Sequence, residues 1–467
     1  MPQEVLNEYS SLRKLSDMRF PSEWFPEARQ MQRKIILHVG PTNSGKTYRA
    51  IQRLQSAESG IYCGPLRLLA HEIFDKMNQQ GIACNLLTGE ERREVSPTAA
   101  LTSSTVEMAN LAKPLEVAVI DEIQLIADPY RGWAWTQALL GLKAKEIHLC
   151  GEAAAVPLIK KICEHLGEQV IVNEYERLTP VALATDSLHG SLKNVQKGDC
   201  VVAFSRQSIF AIKEKIEKET GLQCAVAYGG LPPETRALQA KSFNDPKSPA
   251  SVLVASDAVG MGLNLNIKRV VFSTVTKFDG RQTRYMHIPQ LKQIAGRAGR
   301  FGTAYASGEV TTLFDKDMQY VEQCLESPIV PLELAGLQPT VDIVELFALQ
   351  MPDEKYSSVL QKFEDLASLD GNYFLCNFND QKLIADKIEN INLPLRDRYQ
   401  FVTAPVNTRN DEVMEMAYHM AKTHSNNGIL TLSELINLPP ADVVATPDLL
   451  NTLETSHKKI MMYMWLR

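Results

Sequence analysis

The chain lacks the cysteine spacing of a disulfide framework or of a zinc site. Its eight cysteines are scattered, and the closest two, Cys150 and Cys163, lie thirteen positions apart, so no C-x-x-C pair occurs. Several lie in apolar runs, such as Cys63 in the run 61–63. We therefore expect reduced core thiols in a reducing compartment, and the nine histidines form no ligand cluster in the sequence.

The sequence has no hydrophobic run near the roughly 18 residues that a membrane span requires. Its first residues, 1–4, have neither the apolar segment of a secretion signal nor the Arg-rich character of an import peptide. We therefore expect no membrane span, and we expect that any import signal has been removed from this chain. The apolar run 460–466 at the other end is typical of the middle of a helix, so we expect the natural protein to continue beyond it.

The chain has no excess of positive charge. It holds 49 Lys and Arg against 55 Asp and Glu, a net charge of −6, which argues against a protein that binds polyanions through bulk electrostatics. Acidic residues outnumber basic ones 19 to 11 in residues 331–467. Any nucleic-acid track is therefore expected in the first two thirds of the chain.

The rhythm of the sequence predicts an α/β fold with two tandem, doubly wound, parallel-sheet domains followed by an α-helical C-terminal domain. Short β-branched runs alternate with helical patterns, first at 34–39, 60–63, 100–103, 117–120 and 146–149, and after Pro180 at 199–204, 223–227, 251–255, 269–273 and 309–313. From about Pro328 the spacing is helical. The predicted units are a helical leader at 1–30, domains at 31–180 and 181–327, and a helical domain at 328–467, with a hinge at 174–187.

Residues 40–47 spell a complete phosphate-binding loop directly after the apolar run 34–39. Such a loop wraps a β-phosphate with backbone N–H groups, and glycines supply the backbone conformations it needs. Lys46 is expected to reach the β- and γ-phosphates and Thr47 to offer its hydroxyl to Mg²⁺ or Mn²⁺, at the positive end of a helix. The candidate ATP contacts are Gly40, Pro41, Thr42, Asn43, Ser44, Gly45, Lys46 and Thr47.

Two carboxylates, Asp121 and Glu122, follow the apolar run 117–120. We expect Asp121 to hold the metal through its water shell and Glu122 to polarise the attacking water. A solvent-facing acidic turn is the alternative. The hydrolytic interpretation is favoured because the strand ends of one α/β unit converge at the switch point of the sheet.

A second-half segment, 293–300, reads Gln-Ile-Ala-Gly-Arg-Ala-Gly-Arg. Arg297 and Arg300 are three positions apart, so in a helix they share a face, and both are predicted to act as arginine fingers when the two halves close. A solvated basic helix end is the alternative. A kinase built on the first half alone would leave this segment without a purpose.

These motifs together resemble superfamily 2 RNA helicases with two RecA-like domains, and more narrowly the ATP-dependent RNA helicases of the mitochondrial degradosome and their bacterial relatives. Further matching segments lie at 65–70, 87–92, 104–108, 121–124, 131–136, 149–152, 201–206 and 256–265. The resemblance covers about 24–467. Its Asp-Glu-Ile-Gln box at 121–124 distinguishes it from the commoner Asp-Glu-x-Asp and Asp-Glu-x-His boxes.

The resemblance implies roles for further residues. Contacts to RNA phosphates are implied for Arg67, Thr88, Thr105 and Arg206, with ordinary surface or capping roles as the alternative. Gln293 would contact the γ-phosphate. Coupling between nucleotide state and RNA grip is implied for Asp257, Gly260, Gly262, Gly151 and Glu152, of which Asp257 and Gly260 also belong to the expected nucleotide site.

The expected function is an ATP-dependent RNA helicase that translocates 3′ to 5′ on single-stranded RNA, unwinds duplexes, tolerates some DNA and delivers RNA to a degradosome exoribonuclease. A nucleotide-gated RNA clamp without processive unwinding is the alternative, and intact hydrolytic residues argue against it. The resemblance implies the mitochondrial matrix, with a bacterial cytoplasm as the other option. A homodimer is left open.

Overall fold

The computed structural model describes residues 3–278, 282–303, 305–436 and 447–466. The N-terminal segment is mostly helical. It consists of α1 (Gln3–Leu15), a 3₁₀ turn (Pro21–Trp24) and α2 (Pro26–Arg29). Met18 N donates to Ser368 O at 2.8 Å, which ties this leader to the C-terminal region.

The first unit is built on an eight-stranded sheet. Its strands are β1 (Lys34–Val39), β2 (Gly60–Gly64), β3 (Cys84–Leu87), β4 (Arg92–Arg93), β5 (Leu101–Thr105), β6 (Leu115–Ile120), β7 (Ala144–Gly151) and β8 (Gln169–Glu174). The helices are α3 (Lys46–Gln55), α4 (Arg67–Gln79), α5 (Gly132–Gly141) and α6 (Val156–His165). The strand order is β4-β3-β5-β2-β6-β7-β1-β8, and only β3 and β4 pair antiparallel. Five strands were predicted, whereas β3, β4 and β8 were not.

The second unit repeats the parallel arrangement in a six-stranded sheet and adds a separate two-stranded sheet. It contains β9 (Val181–Leu183), β10 (Asp199–Val202), β11 (Gln223–Ala227), β12 (Ala250–Ala255), β13 (Arg269–Phe272), an antiparallel pair of β14 (Thr276–Phe278) and β15 (Thr283–Tyr285), and β16 (Gly308–Thr312). The helices are α7 (Arg206–Thr220), α8 (Pro233–Asn244), α9 (Ile288–Ala295) and α10 (Asp315–Glu326). The sheet order is β11-β12-β10-β13-β16-β9. The five predicted strands are present, and the short strands β9, β14 and β15 are additions.

The C-terminal region is mostly helical, as expected. Its elements are β17 (Ala335–Leu337), α11 (Val341–Ala348), α12 (Tyr356–Leu366), β18 (Tyr373–Leu375), α13 (Asn379–Lys387), α14 (Leu395–Thr403), α15 (Asp411–Ser425), α16 (Leu432–Leu435) and α17 (Pro447–Leu466). The parallel pair of β17 and β18 was not predicted. Phe347 and Phe363 share one buried cluster with Trp135 and Leu139 of the first unit, so this region packs onto that unit.

The link between the two sheets is short. Residues 175–180 join the edge strand β8 to the edge strand β9, within the predicted hinge. The two units therefore face each other closely: a Cβ built on Gly262 would lie 2.6 Å from Leu66 Cδ1. All eight cysteines are free and buried, as predicted. Within the four described ranges, none of the helices combines the length and hydropathy that a membrane crossing requires.

Candidate active site

The phosphate-binding loop lies at the carboxyl end of β1 and leads into α3. Asn43 (φ 62°) and Gly45 (φ 80°) both adopt the left-handed backbone region, which asparagine and glycine tolerate best. At Gly40 a Cβ would lie 2.4 Å from Tyr175 O, so only glycine fits there. These bends place the N-terminus of α3, and with it Lys46, at the end of the loop. An anion at this point would meet the positive end of the helix.

The loop has unused hydrogen-bonding capacity that suits a phosphate group. Ser44 Oγ is buried and has no hydrogen-bond partner in the described part of the chain. Leaving such a buried group unpaired costs about 1–3 kcal/mol. Lys46 Nζ, two positions further along the chain, donates to Pro41 O at 3.1 Å. The residues present therefore fit a bound triphosphate, which would accept from Ser44 and from the Lys46 ammonium.

A hydroxyl and a carboxylate meet where the metal is expected. Thr47 Oγ1 donates to Asp121 Oδ1 at 3.1 Å, and Tyr62 OH donates to Asp121 Oδ2 at 3.0 Å. Trp135 Nε1 donates to the Asp121 carbonyl at 2.9 Å. Burial and the adjacent Glu122 charge raise the pKa of Asp121. A divalent cation held by Thr47 and Asp121 would favour the ionised carboxylate, so the donor set fits Mg²⁺.

Glu122, the predicted base, has a left-handed backbone (φ 52°) that is uncommon outside glycine. Its carboxylate accepts a hydrogen bond from Gln124 Nε2, and Gln124 Oε1 accepts from Glu152 N at 3.1 Å. Gly40 N donates to Gly151 O at 3.1 Å. The end of β7 therefore lies between the phosphate-binding loop and Glu122, and the coupling role of Gly151 and Glu152 stays a prediction.

Residues 293–295 belong to α9, but the helical arrangement under which Arg297 and Arg300 would share a face does not extend to them. α9 ends at Ala295, and Gly299 (φ 70°) packs so tightly that a Cβ there would lie 2.4 Å from Gly308 N. Arg297 and Arg300 thus follow the helix in a turn, which we call the arginine loop (296–300), and do not share a helical face. The close contact of Gly299 with Gly308 favours this turn over a continuation of the helix.

The two arginines have different surroundings. Arg297 donates to Gly260 O at 2.9 Å and to Leu263 O at 3.2 Å, which orients its guanidinium. Burial lowers its pKa, and the Glu122 charge opposes that effect. Both arginine charges act on Glu72 of the first unit, whose pKa is raised by burial and lowered by the charges of Arg300 and Arg297. The Arg297 guanidinium also interacts with the charges of Glu122 and Asp121.

The remaining second-unit candidates surround the start of this loop. Gln290 Nε2 donates to Asp257 Oδ2 at 2.9 Å, and Lys277 forms an ion pair with the same carboxylate. A Cβ on Gly260 would lie 3.6 Å from Gln293 Oε1. Asp257, Gly260 and Gln293 therefore lie around the carbonyls that orient Arg297, which is consistent with a coupling role.

The four candidate RNA contacts are engaged within the protein. Arg67 forms an ion pair with Glu90, and Thr88 Oγ1 accepts from Glu91 N at 3.1 Å. Thr105 is buried. Arg206 Nη1 donates to Glu454 Oε2 of α17 at 2.7 Å.

Helix α17 extends from this arginine to the first unit. A Cβ on Gly89 would lie 3.7 Å from Cδ1 of Trp465, which belongs to α17. Burial and the Arg67 charge lower the pKa of His457, which is on the same helix. α17 therefore lies beside candidate RNA contacts of both units. We call the four residues Arg67, Thr88, Thr105 and Arg206 the candidate track.

Comparisons with known proteins agree with this geometry. Residues 21–175 match the DEXQ-box helicase domain of Suv3, 183–302 the helicase conserved C-terminal domain and 384–425 the Suv3 C-terminal domain 1. The mitochondrial ATP-dependent RNA helicase SUV3 of Oryza sativa subsp. japonica is 44% identical, with 97% of this chain and 78% of that protein covered. The chain belongs to the Suv3 helicase family.

Other relatives of this Suv3-family chain are longer. The human mitochondrial ATP-dependent RNA helicase SUPV3L1 is 48% identical over 99% of the chain, which spans 60% of that relative's length. The crystal structure of the Escherichia coli DEAH/RHA helicase HrpB matches with a TM-score of 0.51 at 13% identity, covering 95% of this chain and 60% of that one. That likeness shows the fold, two RecA-like domains with a helical C-terminal region.

Several site residues of this Suv3-family chain were missed in the sequence. Tyr62 and Trp135 read as core residues, and only their contacts to Asp121 reveal a second role. Gln124 was visible in the Asp-Glu-Ile-Gln box but its contact to Glu122 was not predicted. Arg177 and Glu454 carry no local motif, because their partners are distant in sequence.

Proposed function

We propose that this chain is an ATP-dependent RNA helicase that translocates 3′ to 5′ on single-stranded RNA and unwinds duplexes. The observation that carries the proposal is the meeting of three elements at the interface of the two units. Thr42 in the phosphate-binding loop packs on Gly296 of the arginine loop, with a Cβ on Gly296 expected 3.2 Å from Thr42 Cβ. Glu122 lies within electrostatic reach of Arg297.

This arrangement makes hydrolysis depend on closure of the two units. Lys46, Thr47 and Asp121 belong to the first unit, whereas Arg297 comes from the second. In transition states of phosphoryl transfer, positioned cations stabilise the charge on the transferred phosphoryl group. ATP binding would therefore close the units and hydrolysis would reopen them. Alternating closure moves a strand held along the candidate track.

The test is ATP-dependent displacement of matched RNA duplexes with a 3′ or a 5′ single-stranded tail. We expect displacement of the 3′-tailed duplex only, and Lys46→Ala should abolish it because the charge that holds the β- and γ-phosphates is lost. Glu122→Gln should bind ATP and RNA but not hydrolyse ATP. Lys160→Ala, on the exposed face of α6, is the matched control and should behave like the wild type. Full activity of Lys46→Ala would refute the site.

A nucleotide-gated RNA clamp is the second candidate function. It is favoured by the enclosure of the track by α17, which contacts both units. RNA-stimulated ATP hydrolysis with neither duplex opened would support the clamp and argue against the helicase.

Further proposals concern the location, the partners, the metal and the oligomeric state. Human SUPV3L1 and rice SUV3 are named mitochondrial, so we propose the mitochondrial matrix, with a bacterial cytoplasm as the alternative. An exoribonuclease is proposed as partner, with RNA as the main substrate and DNA as a second one. Mg²⁺ is proposed as the metal, with Mn²⁺ as a substitute. Co-purification with a 3′-to-5′ exoribonuclease and light scattering would test the partner and the homodimer.

A further inference from the structure

Arg177, in the link between the two sheets, contacts both halves of the candidate site. Its Nη1 donates to Thr42 O of the phosphate-binding loop and to Gly296 O of the arginine loop, both at 2.8 Å. Its Nη2 donates to Ala298 O at 2.6 Å and reaches Gly299 O at 3.4 Å. The Nε atom donates to Thr179 O at 2.6 Å. The five N–H donors of the guanidinium are thus used on carbonyls of three separate segments.

The partners of Arg177 are all backbone oxygens. In the described parts of the chain no ion pair joins it to a carboxylate. Burial and the Arg297 charge lower its pKa to about 10, so it stays protonated at neutral pH. Its positive charge is therefore stabilised by the carbonyls that follow the C-terminal end of α9, where the helix dipole also favours a cation.

Asn43 makes a parallel connection. Its Nδ2 donates to Gly299 O at 2.8 Å and lies 3.4 Å from Gly296 O. The phosphate-binding loop is thereby joined to the arginine loop from two directions. Displacement of either loop breaks hydrogen bonds to the other.

We propose that Arg177 is a positioning residue that holds the arginine loop against the phosphate-binding loop, so that nucleotide binding is transmitted to Arg297 through the interdomain link. Arg177 would not itself touch the reacting atoms. It determines where the arginine loop lies when the nucleotide arrives. This role rests on the proposed function, because it concerns the same ATP site.

Arg177→Lys tests this role with the charge retained. Lysine has three N–H donors on one nitrogen and cannot reach three carbonyl groups in different directions. The matched control is Arg33→Lys: Arg33 also donates to backbone carbonyls, those of Leu139 and Leu142 at 3.0 Å, but all its partners lie in the first unit.

Closure is measured by energy transfer between dyes on Lys160→Cys and Lys218→Cys. Both positions are exposed, one on each unit, and the native cysteines are buried. AMP-PNP is titrated with a saturating single-stranded oligouridine. We expect Arg177→Lys to require at least tenfold more AMP-PNP for half-maximal closure, and Arg33→Lys to stay within twofold of wild type. Asn43→Ala is a second variant and should shift the midpoint in the same direction.

The ratio of ATP turnover with and without RNA is the second readout, since it does not depend on the fraction of folded enzyme. It should fall at least tenfold in Arg177→Lys. Equal midpoints and ratios for Arg177→Lys and Arg33→Lys would overturn the inference, as would a wild-type chain that does not close with AMP-PNP. If RNA does not change the rate of ATP turnover by the wild type, the proposed helicase function fails. The closure midpoints would still decide the role of Arg177.

Discussion

Removing the Glu454 carboxylate is expected to strengthen RNA binding. Arg206, a candidate RNA contact, donates to Glu454 at 2.7 Å, and Tyr228 OH donates to the other Glu454 oxygen at 2.5 Å. An RNA phosphate that binds Arg206 must displace this carboxylate. Glu454→Gln keeps the shape of the side chain and removes the competing charge.

The size of the effect follows from the exposure of the pair. The Arg206 side chain is 36% exposed and the Glu454 side chain 13%. Exposed ion pairs contribute about 0.2–1 kcal/mol, and the partly buried carboxylate with a second hydrogen bond places this one near the upper limit. Loss of about 1 kcal/mol of competition corresponds to roughly fivefold tighter RNA binding.

Fluorescence anisotropy with a labelled single-stranded RNA, in the absence of nucleotide, measures this affinity over a series of KCl concentrations. In Glu454→Gln the freed arginine adds one phosphate contact, so the slope of log affinity against log salt should become steeper by about 0.7. Glu412→Gln is the control. It changes the net charge by the same amount, and the ion-pair partner of Glu412, Lys459 at 2.6 Å, lies on α17, the helix that carries Glu454. Equal affinities for the two variants, or weaker binding by Glu454→Gln, would refute the competition.

Three further predictions concern the interface and the core. Arg297→Ala should lower ATP turnover about 10³-fold, as expected of an arginine finger, and Arg300→Ala by less, because the Arg297 guanidinium is the one oriented by the Gly260 and Leu263 carbonyls beside the Glu122 charge; equal losses in steady-state assays would contradict this difference. Gly262→Ala should lower the free energy of unfolding by about 1–2 kcal/mol because of its positive φ (76°). It should also impair closure of the two units, because the added Cβ would contact Leu66. A second change, Leu66→Ala, should restore closure but should not restore the stability measured by urea titration. Burial lowers the pKa of His38 from 6.5 to about 4. The folded protein therefore keeps this side chain neutral, and up to about 3 kcal/mol of the free energy of unfolding is lost as the pH falls from 6.5 to 4. His38→Gln should flatten that part of the pH–stability curve relative to wild type.

Much of the first unit was predictable because its signals are local. The buried strand 34–39 is a continuous apolar run, and the loop after it contains glycine where φ is positive. The short strands β3, β9 and β17 were missed because three or four residues give too little periodicity to be recognised. Their positions depend on pairing with strands distant in sequence, such as β9 on β16.

The arginine segment shows why spacing alone misled. Residues 293–300 are compatible with a helix, yet the close contact of Gly299 with Gly308 favours a turn after Ala295. Tertiary packing decided between the two conformations. The predicted domain boundaries and the individual site roles stay predictions, to be tested by the variants above.

The sequence by itself determined the chemistry that depends on neighbours in the chain: the phosphate-binding loop, the paired carboxylates and the alternation of strand and helix. Local backbone conformation is encoded over a few residues, so it can be read from one segment at a time. Only the tertiary structure decided that the Arg297 and Glu122 charges interact, that Arg177 joins both loops and that Glu454 holds Arg206. Those contacts are hydrogen bonds and ion pairs between segments up to about 250 residues apart, and no local pattern specifies a partner at that separation.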